Sequence, residues 1–415
     1  MKRNILFCLV LIITIGLVLG GCARKDPDAV RLVYWTMWNE AEPQGQVIAR
    51  AAEAFTRETG IPIEINFNGR DIRMTLQPAL DAGQTIDLFD EDIDRVSGVW
   101  GQYLLPLDDF ITRVFPTTGG KPYYQVVNRT LLDTARQLGN GSVRNIPYQP
   151  FVFTVMYNKD LFDRAGITAL PRTWDEFLAV CARLQAIGVH AITVDDAYIS
   201  ALVGYTFSRL VGVEETLRMA AQNDFSGPAV LRFGQIWEHM ARSGFIHPNA
   251  AGNVWPTGQI NDFASGRAAM YLNGTWLPNE LRGNAPNMRW GSFAFPAIDP
   301  AGAGTEANNF GAQSFGINRN SRFPEEAFQF IVFMTTGEWD NTLARETIGI
   351  PVGVDSVWPP QLAEARAVVE NTSVRMPWAV GMEDRADLNA KNIENFQRLI
   401  SGAMNAQQFA EAMRR

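Results

Sequence analysis

The sequence predicts an α/β fold with largely parallel sheets, and three observations point there. Along the first ninety residues, strand-length apolar runs alternate with stretches of helical spacing. That order supplies the helical crossovers that parallel strands need. Similar strand and helix signals return in the middle of the chain. Finally, 47% of the 415 residues are hydrophobic, enough for packed cores, and the length suggests two domains at roughly 100–200 residues each.

The elements follow in order. Val30 to Trp35 is a short run rich in Val, Tyr and Trp, as in a buried strand. From 44 to 59 the apolar positions Val47, Ile48, Ala51, Ala52 and Phe55 lie on one helical face, and Gly60 stands where a left-handed cap belongs. Ile61, Ile63, Ile65 and Phe67 alternate with Pro62, Glu64 and Asn66, the period of a strand. A helix over 71–82 and a strand from Thr85 to Phe89 complete the first set. Sheets of this kind bind ligands at the carboxyl ends of their strands.

Thr173-Trp174-Asp175-Glu176 is a capping box for a helix running to about Ile187, with Gly188 ending it. His190 to Val194 reads as a strand. Gln259 to Ser265 reads as a helix stopped by Gly266, Ala268 to Leu272 as a strand, and Asn273-Gly274 as a turn. Pro324 to Met334 is a strongly apolar helix stopped by Gly337. There is no tandem repeat and no low-complexity segment.

The N-terminus has its own logic. Lys2 and Arg3 precede an apolar run from Ile5 to Leu19, followed by Gly20 and Gly21, the layout of a secretory signal peptide. The run is shorter than the ~20 residues that span a bilayer. Cys22 comes next, and the segment resembles the lipobox of bacterial lipoproteins, whose cysteine becomes the lipid-bearing first residue. The resemblance implies a signal peptide over 1–21, a polar tether over 22–29, and a protein exported and held at the cell membrane by acyl chains alone. Cys8 would then be lost and Cys22 spent on lipid. Cys181 would remain, unable to form an internal disulfide and expected as a small buried side chain.

The chain carries 36 basic and 44 acidic residues, a net charge of -8, and cleavage before Cys22 would make it -10. That balance excludes nucleic-acid partners, which require a basic patch, and direct adhesion to anionic lipid. His190, His239 and His247 lie outside metal-ligand spacing. No glycine loop precedes a basic residue to cradle phosphate, and no Ser–His–acid set or defined carboxylate pair can be assigned. The reading is therefore a protein that is not an enzyme, without metal or cofactor.

Several motifs recur in a fixed order. Phe55-Thr56-Arg57-Glu58-Thr59-Gly60-Ile61 is followed by Leu104-Leu105-Pro106-Leu107-Asp108-Asp109. Ile146-Pro147-Tyr148 precedes Met156-Tyr157-Asn158-Lys159-Asp160-Leu161-Phe162, Ala165-Gly166-Ile167 and Pro171-Arg172-Thr173-Trp174-Asp175-Glu176-Phe177. Phe263-Ala264-Ser265-Gly266-Arg267-Ala268-Ala269-Met270-Tyr271-Leu272-Asn273-Gly274-Thr275-Trp276 comes next, then Phe295-Pro296-Ala297 and Gly349-Ile350-Pro351-Val352. In this order and spacing, spanning nearly the whole mature chain, they resemble the extracellular solute-binding proteins of ABC importers, in the large group that binds sugars and oligosaccharides (family 1). The resemblance implies the type II periplasmic-binding-protein fold. Lobe one would be 30–151 with 308–353, and lobe two 152–307 with 354–415. A small solute, in the family's pattern a carbohydrate, would bind in the cleft of a monomer and be delivered by hinge closure to the permease subunits.

The resemblance places Trp276 in the cleft as a stacking platform, with Asn273 beside it as a hydrogen-bond donor or as plain turn chemistry. Trp38, Asn39 and Glu40 follow the first strand. Asp90, Glu91, Asp92, Asp94 and Arg95 follow the third, with Asp94 and Arg95 favoured as a pair and Glu91 next. There the family more often has an aromatic residue, and the acidic positions leave open an amino sugar or another cationic ligand. Tyr148, Gln149 and Phe151 sit at the first crossing, and Asn309, Phe310 and Gln313 at the second. Tyr198 is a second-lobe candidate beside Asp195 and Asp196, and Trp255 and Trp378 are further stacking candidates. Polyamine, amino sugar or glycerol phosphate as ligand, a sensor lipoprotein, or a carbohydrate-active enzyme remain the alternatives.

Overall fold

The computed structural model describes residues 30–414. The signal peptide over 1–21 and the whole tether over 22–29, with Cys22, lie outside them. Among the described residues no helix is long and apolar enough to cross a membrane.

Among the described residues nine strands build the sheets: β1 (Leu32–Thr36), β2 (Ile63–Phe67), β3 (Leu88–Asp92), β4 (Asn145–Asn158), β5 (His190–Thr193), β6 (Ala268–Gly274), β7 (Trp290–Phe293), β8 (Ala307–Ile317) and β9 (Val374–Met376). They join in the order β2-β1-β3-β8-β4-β6-β5, with β7 also on β4 and β9 on β8. β1 is parallel to β2 and β3, and β8 runs antiparallel to β3 and β4. On the other side β4 is antiparallel to β6 and β7, and β5 is parallel to β6.

β4 serves two sheets. Its first half pairs with β8 and its second, from Phe153 on, with β6. The register shifts between Tyr148 and Pro150, where Gln149 takes φ 44°. Proline offers no N–H to a ladder, and a left-handed residue before it lets the strand bend, so this bulge turns β4 from one sheet into the other. Because β3 runs the same way as β4 and β6 runs against it, the carboxyl ends of β1 and β3 face those of β5 and β6.

Each side has its own core. The first gathers Tyr34, Phe55, Trp100, Phe315, Phe328 and Phe330; the second Phe153, Phe177, Tyr205, Phe233, Trp237 and Phe396. A small third core of Leu131, Val152, Phe310, Ala312, Ile350 and Leu362 lies along the crossing strands. Arg209, fully buried, ties the second core to the start of β8. Its guanidinium donates to the carbonyls of Phe295 (3.2 Å), Ala307 (2.9 Å) and Gly304, and burial lowers its pKa.

Local signals decide several elements. The helix Pro43–Thr59 has proline in its first turn and ends at Gly60 with φ 75°, burying Val47, Ile48, Ala51, Ala52 and Phe55. Thr173 Oγ1 accepts from Glu176 N (3.3 Å) and Glu176 Oε2 from Thr173 N (3.1 Å), opening the helix Trp174–Ala186. Cys181 on that helix is fully buried, which raises its thiol pKa, and it is the one free cysteine among the described residues.

Three expectations are corrected. β3 starts three residues late, at Leu88, and carries Asp90, Glu91 and Asp92 as strand residues instead of loop. Side-chain and backbone donors described below make their burial tolerable. The stretch read as a helix over 259–265 is a π-type helix, Gly258–Ala264. Asn273 and Gly274 close β6 in extended pairing and do not form the predicted turn.

Candidate functional site

The facing strand ends define a cleft with two unlike walls. On the first wall, Trp38 follows β1 and is nearly buried. Its Nε1 donates to the Tyr148 hydroxyl (2.8 Å), and Tyr148 in turn donates to Asp90. Asp90 also accepts from Met37 N (3.0 Å), and burial pushes its carboxyl up to about 6. Tyr148 stacks on Phe315 at 4.2 Å. One face of Trp38 carries the Arg70 guanidinium at 4.7 Å, which is gripped by both oxygens of Glu42 (3.1 and 3.0 Å). Trp38 is thus a fixed part of the wall. Asn39 and Glu40 are exposed, and Asn39 bonds back to Glu42.

The acidic end of β3 resolves into distinct roles. Glu91, fully buried, accepts from Arg73 Nε (2.6 Å) and Asp92 N (2.6 Å), with Arg95 Nε at 3.8 Å. Asp92 caps the helix Ile93–Gly98 through Asp94 N (2.9 Å). Its Oδ2 is buried without a partner, and burial beside Asp94 and Glu91 raises the carboxyl to about 7. The favoured Asp94–Arg95 pair does not form: Arg95 turns to Glu91, and Asp94 reaches Arg375 of β9 at 2.5 Å. Arg375 also donates to the Phe310 carbonyl (2.7 Å).

The second wall is aromatic. The rings of Trp276 and Trp378 stack at 5.8 Å and 19°, and Phe151 and Phe153 meet both edge-on at 5.2–6.1 Å. Both tryptophans are half-buried. A Cβ on Gly274 would lie 2.2 Å from the Trp276 ring, so the glycine before Thr275 lets the indole fold back over the strand end. Gly311 likewise leaves room for Phe151, whose ring would meet a Cβ at 2.6 Å. Trp276 Nε1 reaches the Tyr198 hydroxyl (3.4 Å), and Trp378 Nε1 donates to Glu383 (2.7 Å).

Polar groups surround these rings. Asn273 is fully buried; its Oδ1 accepts from Gly274 N (2.6 Å) and its Nδ2 has no partner. Glu280 accepts from Gln259 Nε2 (3.2 Å). Glu280 is exposed as a residue, but burial of its carboxyl raises it to about 7, against the pull of Arg70 and with the push of Glu42 from the opposite wall. Burial likewise raises Glu383, opposed by Arg73, and Asp384. These influences place the two walls within electrostatic reach of each other.

The remaining candidates hold the frame. Asn309 is buried and donates to the carbonyls of Met376 (3.1 Å) and Pro377, fixing the segment that carries Trp378. Gln149 donates to Thr347 Oγ1 (2.8 Å). Gln313 has a buried unpartnered Oε1. Asp195 anchors the loop ahead of Gln259 by accepting from Gly258 N (2.6 Å), Gln259 N (3.2 Å) and Tyr271 (2.6 Å). Trp255 is 45% exposed and bonds through its amide to Asp196 (2.8 Å), outside the Trp276–Trp378 stack. Gln259, Glu280 and Glu383 were missed by the sequence reading. Glu280 lies four residues after Trp276 on a short helical turn, a spacing that shares a face and was readable. Among the described residues no group of three or more His, Cys, Asp or Glu side chains is placed to hold a metal ion.

Residues 39–340 match the family described as "Bacterial extracellular solute-binding protein". A putative binding protein of Brucella abortus is 26% identical over 215 residues, 51% of each chain. The multiple sugar-binding protein of Streptococcus mutans is 27% identical over 207 residues, 48% of each. The chain spans about half the length of these relatives. Among solved structures, a probable secreted solute-binding lipoprotein from Streptomyces coelicolor superposes with TM-score 0.76 at 18% identity, covering 94% of this chain and 98% of that one. A chitin oligosaccharide binding protein gives TM-score 0.72 at 19% identity, covering 93% and 98%. At such identities the likeness is one of fold: two α/β lobes of the type II binding-protein kind.

Proposed function

The chain belongs to the bacterial extracellular solute-binding protein family, and on that premise we propose that it captures a sugar or oligosaccharide between its lobes and delivers it to the permease of an ABC importer. The observation that carries the reading is the Trp276–Trp378 stack, braced by Phe151 and Phe153 and edged by the polar groups of Tyr198 and Glu383. A sugar offers apolar C–H faces to such rings and a rim of hydroxyls to such groups. The printed names of a relative and a structural neighbour, multiple sugar-binding and chitin oligosaccharide binding, support the same ligand class.

On this reading the lobes are 30–151 with 308–353 and 152–307 with 354–415, and β4 and β8 carry the hinge. The protein acts as a monomer without catalysis, exported by a signal peptide over 1–21 and held at the membrane through lipid on Cys22. A thermal-shift screen of the purified protein against mono- and oligosaccharides and polyamines tests the ligand class. Ligand at ~100 times its dissociation constant stabilises by ~2.7 kcal/mol, roughly a few degrees at this size. Shifts confined to sugars sustain the reading, and shifts confined to polyamines, or none at all, refute it. Mass spectrometry of the membrane-extracted protein tests the acyl chains on Cys22.

A further inference from the structure

We propose that Trp255 is an outer stacking subsite on the second wall, which makes the preferred ligand a linear oligosaccharide that runs from Trp276 to the carboxyl end of β5. The inference rests on the carbohydrate reading of the cleft and adds the ligand's length to it.

Single exposed apolar residues are ordinary on a protein surface. Trp255 is a different case, because its backbone is held firmly while its ring is left out of the packing. The residue is 45% exposed, Val254 before it is 63% exposed, and neither belongs to any of the three cores. The chain is tied down on both sides of them. Asn253, 2% exposed, donates from Nδ2 to Asp262 (2.8 Å) and to the Val194 carbonyl (3.2 Å). Its own carbonyl accepts from Asp196 N (3.2 Å), and Asp196 Oδ1 accepts from Trp255 N (2.8 Å). Beyond Pro256 and Thr257, the amides of Gly258 and Gln259 are held by Asp195. A ring carried on such a frame loses little freedom when a ligand covers it.

The topology puts this ring on the ligand's path. β5 is parallel to β6 and is the last strand of its sheet, so its carboxyl end lies on the cleft side, one strand beyond the end that carries Trp276. The helix Asp196–Val211 links the two tryptophans: Asp196 in its first turn holds Trp255, and Tyr198 two residues on meets Trp276 Nε1 at 3.4 Å. Neighbouring strands lie roughly 5 Å apart, the scale of one sugar ring. A monosaccharide on Trp276 therefore stops short of Trp255, and a chain of a few units reaches it. There the indole offers a face to C–H groups. Beside it, half-buried Asp196 spends Oδ1 on the amides of Trp255 and Ala197 and keeps Oδ2 free of protein donors among the described residues, an acceptor for a sugar hydroxyl.

Titration calorimetry on the purified protein tests this with the cello-, xylo-, malto- and chito-oligosaccharide series, each from the monosaccharide to the hexasaccharide. In a series that binds, the longer members should bind about threefold to tenfold tighter than the shortest one bound, the scale of one aromatic contact. Trp255→Ala should remove that gain and leave the shortest member within about twofold of its former affinity. Trp255→Phe keeps a ring and should retain most of the gain; a thermal midpoint unchanged in both variants shows that they fold. A gain that survives Trp255→Ala, a loss equal at every length, or no gain with length overturns the outer subsite and leaves the carbohydrate reading standing. Binding of no sugar in any series overturns both.

Discussion

The Asp94–Arg375 pair joins the two lobes, so Asp94→Asn should open the unliganded protein. Asp94 stands on the helix after β3, packed on the first core, and Arg375 precedes Met376 and Trp378 of the second. The bond is 2.5 Å long, with side-chain exposures of 26% and 15%. Exposed ion pairs are worth about 0–1 kcal/mol, and breaking a buried one costs about 3–5 kcal/mol. At this exposure the value lies between, at about 2 kcal/mol. The Arg375 bond to Phe310 O survives the substitution and keeps the arginine in place. Since ~1.4 kcal/mol is tenfold, the closed-to-open ratio should fall about thirtyfold. Small-angle scattering reads this as a larger radius of gyration without ligand, and calorimetry as a dissociation constant raised by up to the same factor. The swap of Asp94→Arg with Arg375→Asp should recover part of the loss, and the cycle isolates the coupling. A radius and dissociation constant unchanged in Asp94→Asn would refute a role for the pair in closure.

Four further outcomes follow from the same geometry. Trp276→Ala removes one stacked and two edge contacts, so it should lower stability by about 2–4 kcal/mol by denaturant unfolding and abolish sugar binding; retained binding would remove Trp276 from the site. Asp90, held at about 6 against ~3.9 in an unfolded chain, binds its proton more tightly when folded. Its contribution is therefore full below pH 4 and falls by about 3 kcal/mol as pH rises through 6, a slope that urea unfolding should show flattened in Asp90→Asn. Glu280, raised to about 7 by burial with Arg70, Glu42 and Tyr198 around it, binds its proton more tightly when folded, so stability should fall as pH rises towards 7, a slope that urea unfolding should show flattened in Glu280→Gln. Arg209→Met leaves the carbonyls of Phe295, Gly304 and Ala307 without their donor and should cost about 3–5 kcal/mol; a loss below ~1 kcal/mol would mean those carbonyls find other partners.

Much of this was legible in the sequence, and the reason is locality. The Thr173 capping box and the Gly60 cap are set by side chains within four residues, so periodicity and cap chemistry found them. Trp276 was singled out through its Asn273-Gly274-Thr275-Trp276 segment, and its ring folds over the glycine two residues before it. What failed was non-local. Asp90, Glu91 and Asp92 look like loop until Met37 N, Tyr148 and Arg73 are brought from up to 58 residues away to receive their oxygens. Asp94 beside Arg95 invited a local pair, yet its partner lies 281 residues on. Gln259 gave no signal either, because the irregular helix hides that its own side chain turns inward.

The two walls divide the work of recognition, and the topology is why. β4 runs out of one sheet into the other, so both sets of carboxyl ends look at the same space. The second wall presents the stacked rings of Trp276 and Trp378, each half-buried. The first wall offers little free stacking area, since Trp38 is covered on one face by Arg70 and tied to Tyr148. It contributes the charges: Arg70 and Glu42 across from Glu280, Arg73 across from Glu383, and Asp94 reaching Arg375. Glu42 does not meet Glu280 as a bare charge, because Arg70 holds it and the pull of Arg70 on Glu280 exceeds the push of Glu42, so the carboxyls of the second wall meet arginines of the first where the two walls approach.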